Sequence, residues 1–219
     1  MDELNELKKQ SAYLKLVAIS GAKFGEYLQI VEKTGIILRT PQRIELFIFS
    51  AFIPYLTIRQ KVDDEESRNI HIISFLSALL GYKPEQLTER EFELMIEAQE
   101  SDEEDSTVLD YIHAYYESWI NSLTNKTIEQ DKRLTYAISC IHIKLSNRLA
   151  YLSDKYQETE DERLEAMRKG RSSDIFSIMR KQSDIESSVS SMYMTQIQNL
   201  MKLSFAHLSE VNGITNDLS

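Results

Sequence analysis

TPQRIELFIFSAFIPYLTIRQKV, residues 40–62, is the stretch on which the fold turns. Between Ile44 and Ile58 its only polar side chains are Glu45, Ser50, Tyr55 and Thr57. A helix built from these residues is apolar on nearly every face, the pattern of a segment surrounded by other elements. The fifteen residues, at about 1.5 Å each, span roughly 22 Å, short of the roughly 30 Å hydrocarbon core of a bilayer. Arg39, Arg43, Arg59 and Lys61 also bracket the run. A central helix of a protein core is expected, with no transmembrane segment. Thr40 is expected to cap it and Pro41 to occupy the first helical position, where a missing N–H costs nothing. Pro54 removes the donor to the Ser50 carbonyl, so a kink or break is expected there.

Before this stretch, a first helix is expected from Asp2 to about Lys33. Leu4, Leu7, Leu14, Val17, Gly21, Phe24, Leu28 and Val31 recur at spacings of three, four or seven and mark its apolar stripe. Gly35 is a natural stop because it tolerates the left-handed conformation past a helix end. Gly21 and Gly25 are four apart and predict close approach of a second helix; Lys23 and Glu26 rule out a membrane reading of that motif. After it, Asp63 or Asp64 is expected to cap a third helix whose Ile70, Ile72, Ile73, Phe75, Leu76, Leu79 and Leu80 bury more than one face. Gly81 and Pro84 are expected to end it. The second and third helices together predict an apolar hairpin at the centre of an all-α bundle.

Composition agrees with that class. Six Gly and three Pro in 219 residues supply too little turn chemistry for an all-β fold. A single cysteine, Cys140, excludes an intramolecular disulfide. The first thirty residues lack the basic start and apolar core of a signal peptide, so a reducing, cytoplasmic setting is expected.

Charge is unevenly placed. Residues 84–110 hold eleven acids against Arg90 alone, so this stretch carries the whole formal net charge of −10 and the rest is neutral in sum. Within it, Thr88 to Glu91 reads as a capping box opening a short surface helix with Phe92, Met95 and Ile96 on one edge. SDEEDS, residues 101–106, reads as a loop. The acidic surface comprises Glu89, Glu93, Glu97, Glu100, Asp102, Glu103, Glu104 and Asp105. Residues 163–181 reverse the sign, with six bases against Glu165 and Asp174.

The C-terminal half is strongly periodic. Ser106 is expected to cap a helix with Val108, Ile112, Tyr115, Trp119 and Leu123 on one stripe, and Thr127 to Gln130 reads as a second capping box. That box opens a helix lined by Leu134, Ile138, Ile141, Leu145, Leu149, Leu152 and Tyr156. The pattern then runs without a breaker to Gly170, and Ser172 or Ser173 is expected to cap a return helix ending at Gly213. Two helices of about forty residues, about 60 Å each if unbroken, would form an antiparallel hairpin turning at Lys169-Gly170-Arg171. In the return helix Val189, Leu200 and Val211 repeat at eleven, a spacing that holds a stripe nearly straight. Ser183, Ser187, Ser188, Ser190 and Ser191 predict close contact on more than one side. The expected organisation is a bundle over 1–152, the hairpin over 153–212 and a flexible tail over 213–219.

Catalytic signatures fail for the most part. There is no glycine-rich phosphate loop and no GxSxG elbow. His71 and His142 read as core histidines, and Cys140 sits inside a helix without a base beside it. One metal pattern exists: Asp110, His113 and Glu117 share a helical face, and Glu97, Glu100 or Glu103 would complete an oxygen-rich site for Mg²⁺ or Mn²⁺. A metal-dependent hydrolase is therefore one alternative, although no cofactor is expected. An acidic mimic of nucleic acid is another. Direct nucleic-acid binding is not expected of a net acidic chain. The favoured reading is a helical interaction or regulatory protein, acting as a homodimer or assembly subunit on protein partners. Its hairpin tip, with Met167, Arg168, Lys169, Arg171, Phe176 and Met179, is the partner site, and the acidic face is a second site. The basic tip of one copy pairs in one variant with the acidic face of another.

Overall fold

The computed structural model describes residues 2–80, 108–216 and 218. They form an all-α bundle with no strand among the described residues. In chain order the helices are α1 (Asp2–Glu32), α2 (Thr40–Lys61), α3 (Glu65–Leu80), α4 (Val108–Leu123), α5 (Arg133–Tyr151), α6 (Asp154–Arg168), α7 (Ser172–Met194) and α8 (Ile197–Thr215), with a 3-10 turn at Gln130–Lys132 before α5. The acidic stretch from Glu89 to Asp105, the Thr88 capping box, the stop at Gly81 and Pro84, and the Ser106 cap all lie outside the described residues.

The chain divides into two compact units. The first comprises Met1–Gly25, Phe47–Glu117 and Leu203–Ser219, and the second Glu26–Leu46 and Ser118–Lys202. In the first, Phe49 and Phe52 of α2 meet the ring of Tyr115, at centroid distances of 5.4 and 5.7 Å. Arg59 closes the end of that cluster, stacking 4.6 Å over the Tyr116 ring and donating to the Tyr55 hydroxyl at 2.8 Å. In the second, α5 and α6 both pack against α7, and Tyr27, Trp119 and Tyr193 are buried.

α2 is the surrounded helix its composition predicts: residues 51–58 are all buried. Pro54 does not break it, and the helix continues to Lys61. Burial of Phe52, Ile53, Leu56 and Ile58 is worth about 1.5–3 kcal/mol per side chain, which offsets the roughly 3 kcal/mol intrinsic cost of an internal proline. Its start differs from expectation. The Arg39 carbonyl accepts the first helical bond from Arg43 N, which makes Arg39 the cap and Pro41 the second helical residue. Gln42 Oε1 reaches back to accept from Arg39 N at 2.9 Å, which is half of a capping box, and Thr40 is exposed.

Several other expectations are corrected. In α1 the buried line is Ala12, Leu16, Ser20, Lys23, Tyr27 and Val31, whereas Leu7 and Leu14 are 62 % and 67 % exposed. Both sets have helical spacing, and Lys23 enters the buried one because Glu210 meets its ammonium at 2.8 Å. Nothing lies within 4 Å of a Cβ built on Gly21 or Gly25, so these glycines mediate no close helix contact. α3 is capped by Asp64 as expected, its carboxylate accepting from Ser67 N at 2.8 Å, and it buries Ile72, Phe75 and Leu76, but Ile70 is exposed. The Thr127 box does not form: Asn125 Oδ1 accepts from both the amide and the hydroxyl of Thr127. Leu134 is exposed.

The two forty-residue helices are each broken. α5 stops at Tyr151 and α6 restarts at Asp154; α7 stops at Met194 and α8 restarts at Ile197. At each break a hydroxyl satisfies a carbonyl of the last turn, Ser153 Oγ donating to Ala150 O and Thr195 Oγ1 to Met192 O, both at 2.7 Å. Such local bonding lets the helix stop at small cost. The eleven-residue stripe survives the second break, with Val189, Leu200 and Val211 all buried. Gly213 does not stop α8. The helix runs on to Thr215, which is buried and donates to Val211 O at 3.0 Å. Ser183, Ser187, Ser188 and Ser191 are exposed rather than packed on a second side among the described residues.

The second unit also buries polar groups, several of them paired. Gln42 Nε2 donates to Leu149 O at 2.6 Å, and Glu45, 2 % exposed, pairs with Arg148 at 3.4 Å. His142 is fully buried with its Nδ1 2.8 Å from the Tyr193 hydroxyl, the satisfied core histidine its position predicts. Burial pushes its pKa down to about 3, against a smaller opposing effect of the Leu200 backbone. The same burial raises the Tyr193 phenol well above its ordinary value.

Candidate functional site

The helical hairpin α6–α7 is built from its turn outward. Gly170 has φ +65°, a conformation that glycine adopts without the Cβ clash of other residues. Arg171 N donates to Ala166 O at 3.0 Å and Gly170 N to Met167 O at 3.1 Å, the paired bonds of a Schellman ending. Ser172 and Ser173 do not cap α7: Arg171 takes that position without a side-chain bond. At the other end of α6 the Ser153 hydroxyl accepts from Tyr156 N.

Between the helices, Ala166 and Ile178 are buried at 6 % exposure each, with Thr159 and Gln182 further along the seam. Polar groups cross it in register. Gln182 Nε2 donates to Glu160 Oε2 at 2.8 Å, and Lys181 pairs with Glu162 at 2.9 Å. Arg163 binds Glu160 through two of its nitrogens, which lowers the Glu160 carboxyl below its ordinary range and raises the Arg163 guanidinium. The hairpin is thus complete before any apolar side chain outside the seam is counted.

That leaves the tip. Met167 and Met179 are each 53 % exposed and Phe176 is 75 % exposed; Leu164 is exposed beside them, whereas Ile178 belongs to the seam. Arg168, Lys169 and Arg171 are exposed as well. Their charges differ in availability. Lys169 pairs with Glu165 and Arg171 with Asp174 at 3.8 Å. Arg168, by contrast, has no ion-pair partner among the described residues, and neither does Arg180. Arg180 enters the site here; its signal was the four-residue step from Phe176, which places both on one side of α7.

This sequence matches no protein-family model, no curated protein and no solved structure.

Of the candidate metal face, Asp110, His113 and Glu117 fall within α4. Glu117 is exposed, and the side chains of the other two lie outside the described set. Among the described residues no three His, Cys, Asp or Glu gather closely enough to hold an ion. No described helix is long and apolar enough to cross a membrane. A groove of about 500 Å³ runs beside α7, lined by Ile36, Ile37, Arg39, Asp154, Ile185 and Met192 among others. Its polar rim is engaged internally, Arg39 pairing with Asp154 at 3.2 Å and Gln42 bridging Arg39 N and Leu149 O.

Proposed function

We propose that this chain is a helical interaction protein, a homodimer or assembly subunit working in the cytosol, with the α6–α7 tip as its contact site. One observation carries the reading: Met167, Phe176 and Met179 are exposed on a hairpin whose own seam is already filled by Ala166 and Ile178. Large apolar side chains framed by arginine are the composition of interface cores, and solvating them gives the isolated fold nothing. Packing among the described residues does not explain their presence.

A photo-crosslinking residue at position 176, compared with one at the exposed Gln60, tests this in the native cell. Adducts specific to position 176, with a second copy or with another protein, are expected. Equal labelling from both positions, or none from 176, refutes the tip as a contact site.

A further inference from the structure

The tip contains the same six-residue unit twice. LEAMRK, residues 164–169, and FSIMRK, residues 176–181, share a large apolar first residue, a small or branched third residue, and Met-Arg-Lys. The structure gives equivalent positions equivalent environments. Ala166 and Ile178 are both 6 % exposed in the seam, and Met167 and Met179 are both 53 % exposed. Leu164 and Phe176 both stand in solvent. Lys169 and Lys181 are both held by carboxylates of α6. Arg168 and Arg180 are the two arginines of the hairpin without an ion pair among the described residues.

α6 and α7 are antiparallel. The cross-links of Glu160 to Gln182 and of Glu162 to Lys181 set a register in which the two units lie at the same level. The repeat therefore makes a locally two-fold patch: apolar residues in the middle and an unpaired arginine four residues beyond Leu164 and beyond Phe176. The remaining charges near the turn are neutralised on the other side of the hairpin, where Glu162, Glu165, Arg171, Asp174 and Lys181 line a single surface.

Such a patch has a definite complement, a segment with apolar residues flanked by carboxylates. The chain contains one. EREFELMIE, residues 89–97, sets Phe92, Met95 and Ile96 among Glu89, Glu91, Glu93 and Glu97, within the stretch that carries the whole net charge of −10. We propose that the 164–181 patch of one copy docks the 84–110 stretch of a second copy. Resting on the tip being a contact site, this names its occupant.

The test uses the full chain with a fluorescently labelled peptide of residues 84–110, followed by anisotropy, with light scattering on the chain alone. Expected are saturable peptide binding, a mass above the 25.5 kDa monomer, and loss of both in about 0.5 M salt. The double variant Arg168→Glu/Arg180→Glu should weaken peptide binding about tenfold or more, since two exposed charge attractions become repulsions. Phe176→Ser/Met179→Ser should abolish binding, with helicity retained by circular dichroism in both variants. A second labelled peptide with the acids of 84–110 replaced by Gln should not bind. The inference is overturned by a monomeric chain that ignores the peptide, by binding indifferent to both variants, or by capture of phosphatidylserine vesicles in place of the peptide. If position 176 still crosslinks to a different protein after such a result, the tip remains a contact site and only its occupant is wrong.

Discussion

Acidification should destabilise this protein through two buried histidines, beginning above the pH range in which its carboxylates titrate. His142 and His207 are both fully buried, and burial brings each to about 3 from an ordinary 6.5; the Lys23 ammonium adds to the effect at His207. The folded chain therefore binds fewer protons than the unfolded chain at every pH between those values. Stability contributed by the neutral imidazoles is full above 6.5 and is lost progressively as pH falls towards 3. At pH 5 an unfolded imidazole is almost wholly protonated and a folded one is not, which costs about 2 kcal/mol per histidine and about 4 kcal/mol for both. That is a large part of the 5–15 kcal/mol by which typical domains are stable. Urea unfolding followed by circular dichroism at pH 7.5 and 5.0 measures the loss. His142→Gln/His207→Gln should reduce the difference between the two pH values, whatever it does to stability at pH 7.5. The reasoning fails if the wild type loses less than about 1 kcal/mol over this interval. It also fails if the double variant keeps the full pH dependence, or if imidazole NMR titrations of the folded chain show either group protonating near 6.5.

Gly170→Ala should lower stability by about 1 kcal/mol, because a Cβ is unfavourable at the positive φ that closes the hairpin. Gly21→Ala should raise it by about 0.5–1 kcal/mol, since the position is helical and the new methyl meets nothing. Thermal melts of the two variants distinguish these opposite signs. Arg148→Ala should cost about 3 kcal/mol by breaking the ion pair to the buried Glu45, and replacing both residues with Met should recover most of that loss in urea titrations. Met167→Ser and Phe176→Ser should each change stability by no more than about 0.5 kcal/mol, because both side chains are exposed. Their effect should appear in crosslinking and oligomer mass instead.

Much of the candidate site was legible in sequence because it depends on local chemistry. The turn needed only a glycine after a basic helix end, and Gly170 supplied it. Met167, Phe176 and Met179 stand where a hairpin of this register leaves them, outside the seam. Arg180 was harder to read, since its availability follows from Lys169, Arg171 and Lys181 finding carboxylates while it does not. The breaks at Ser153 and Thr195 were not legible: a hydroxyl bonded to the preceding turn and a continuing helix differ by about 1 kcal/mol at most, and packing decides between them.

By itself, then, the sequence determined the class and the centre. A run as apolar as 44–58 has no stable place but inside, and few glycines and prolines permit little except helices. Tertiary structure alone decided which side of α1 is buried. Leu7 and Leu14 lie on one helical stripe and Ala12, Leu16, Ser20 and Lys23 on another; the second is inside, where Glu210 meets the ammonium of Lys23. It likewise decided that Arg39, with Gln42 reaching back to its amide, rather than Thr40 caps α2, and that α8 passes through Gly213. Periodicity records which faces are able to be buried, while the neighbours that arrive from distant parts of the chain select among them.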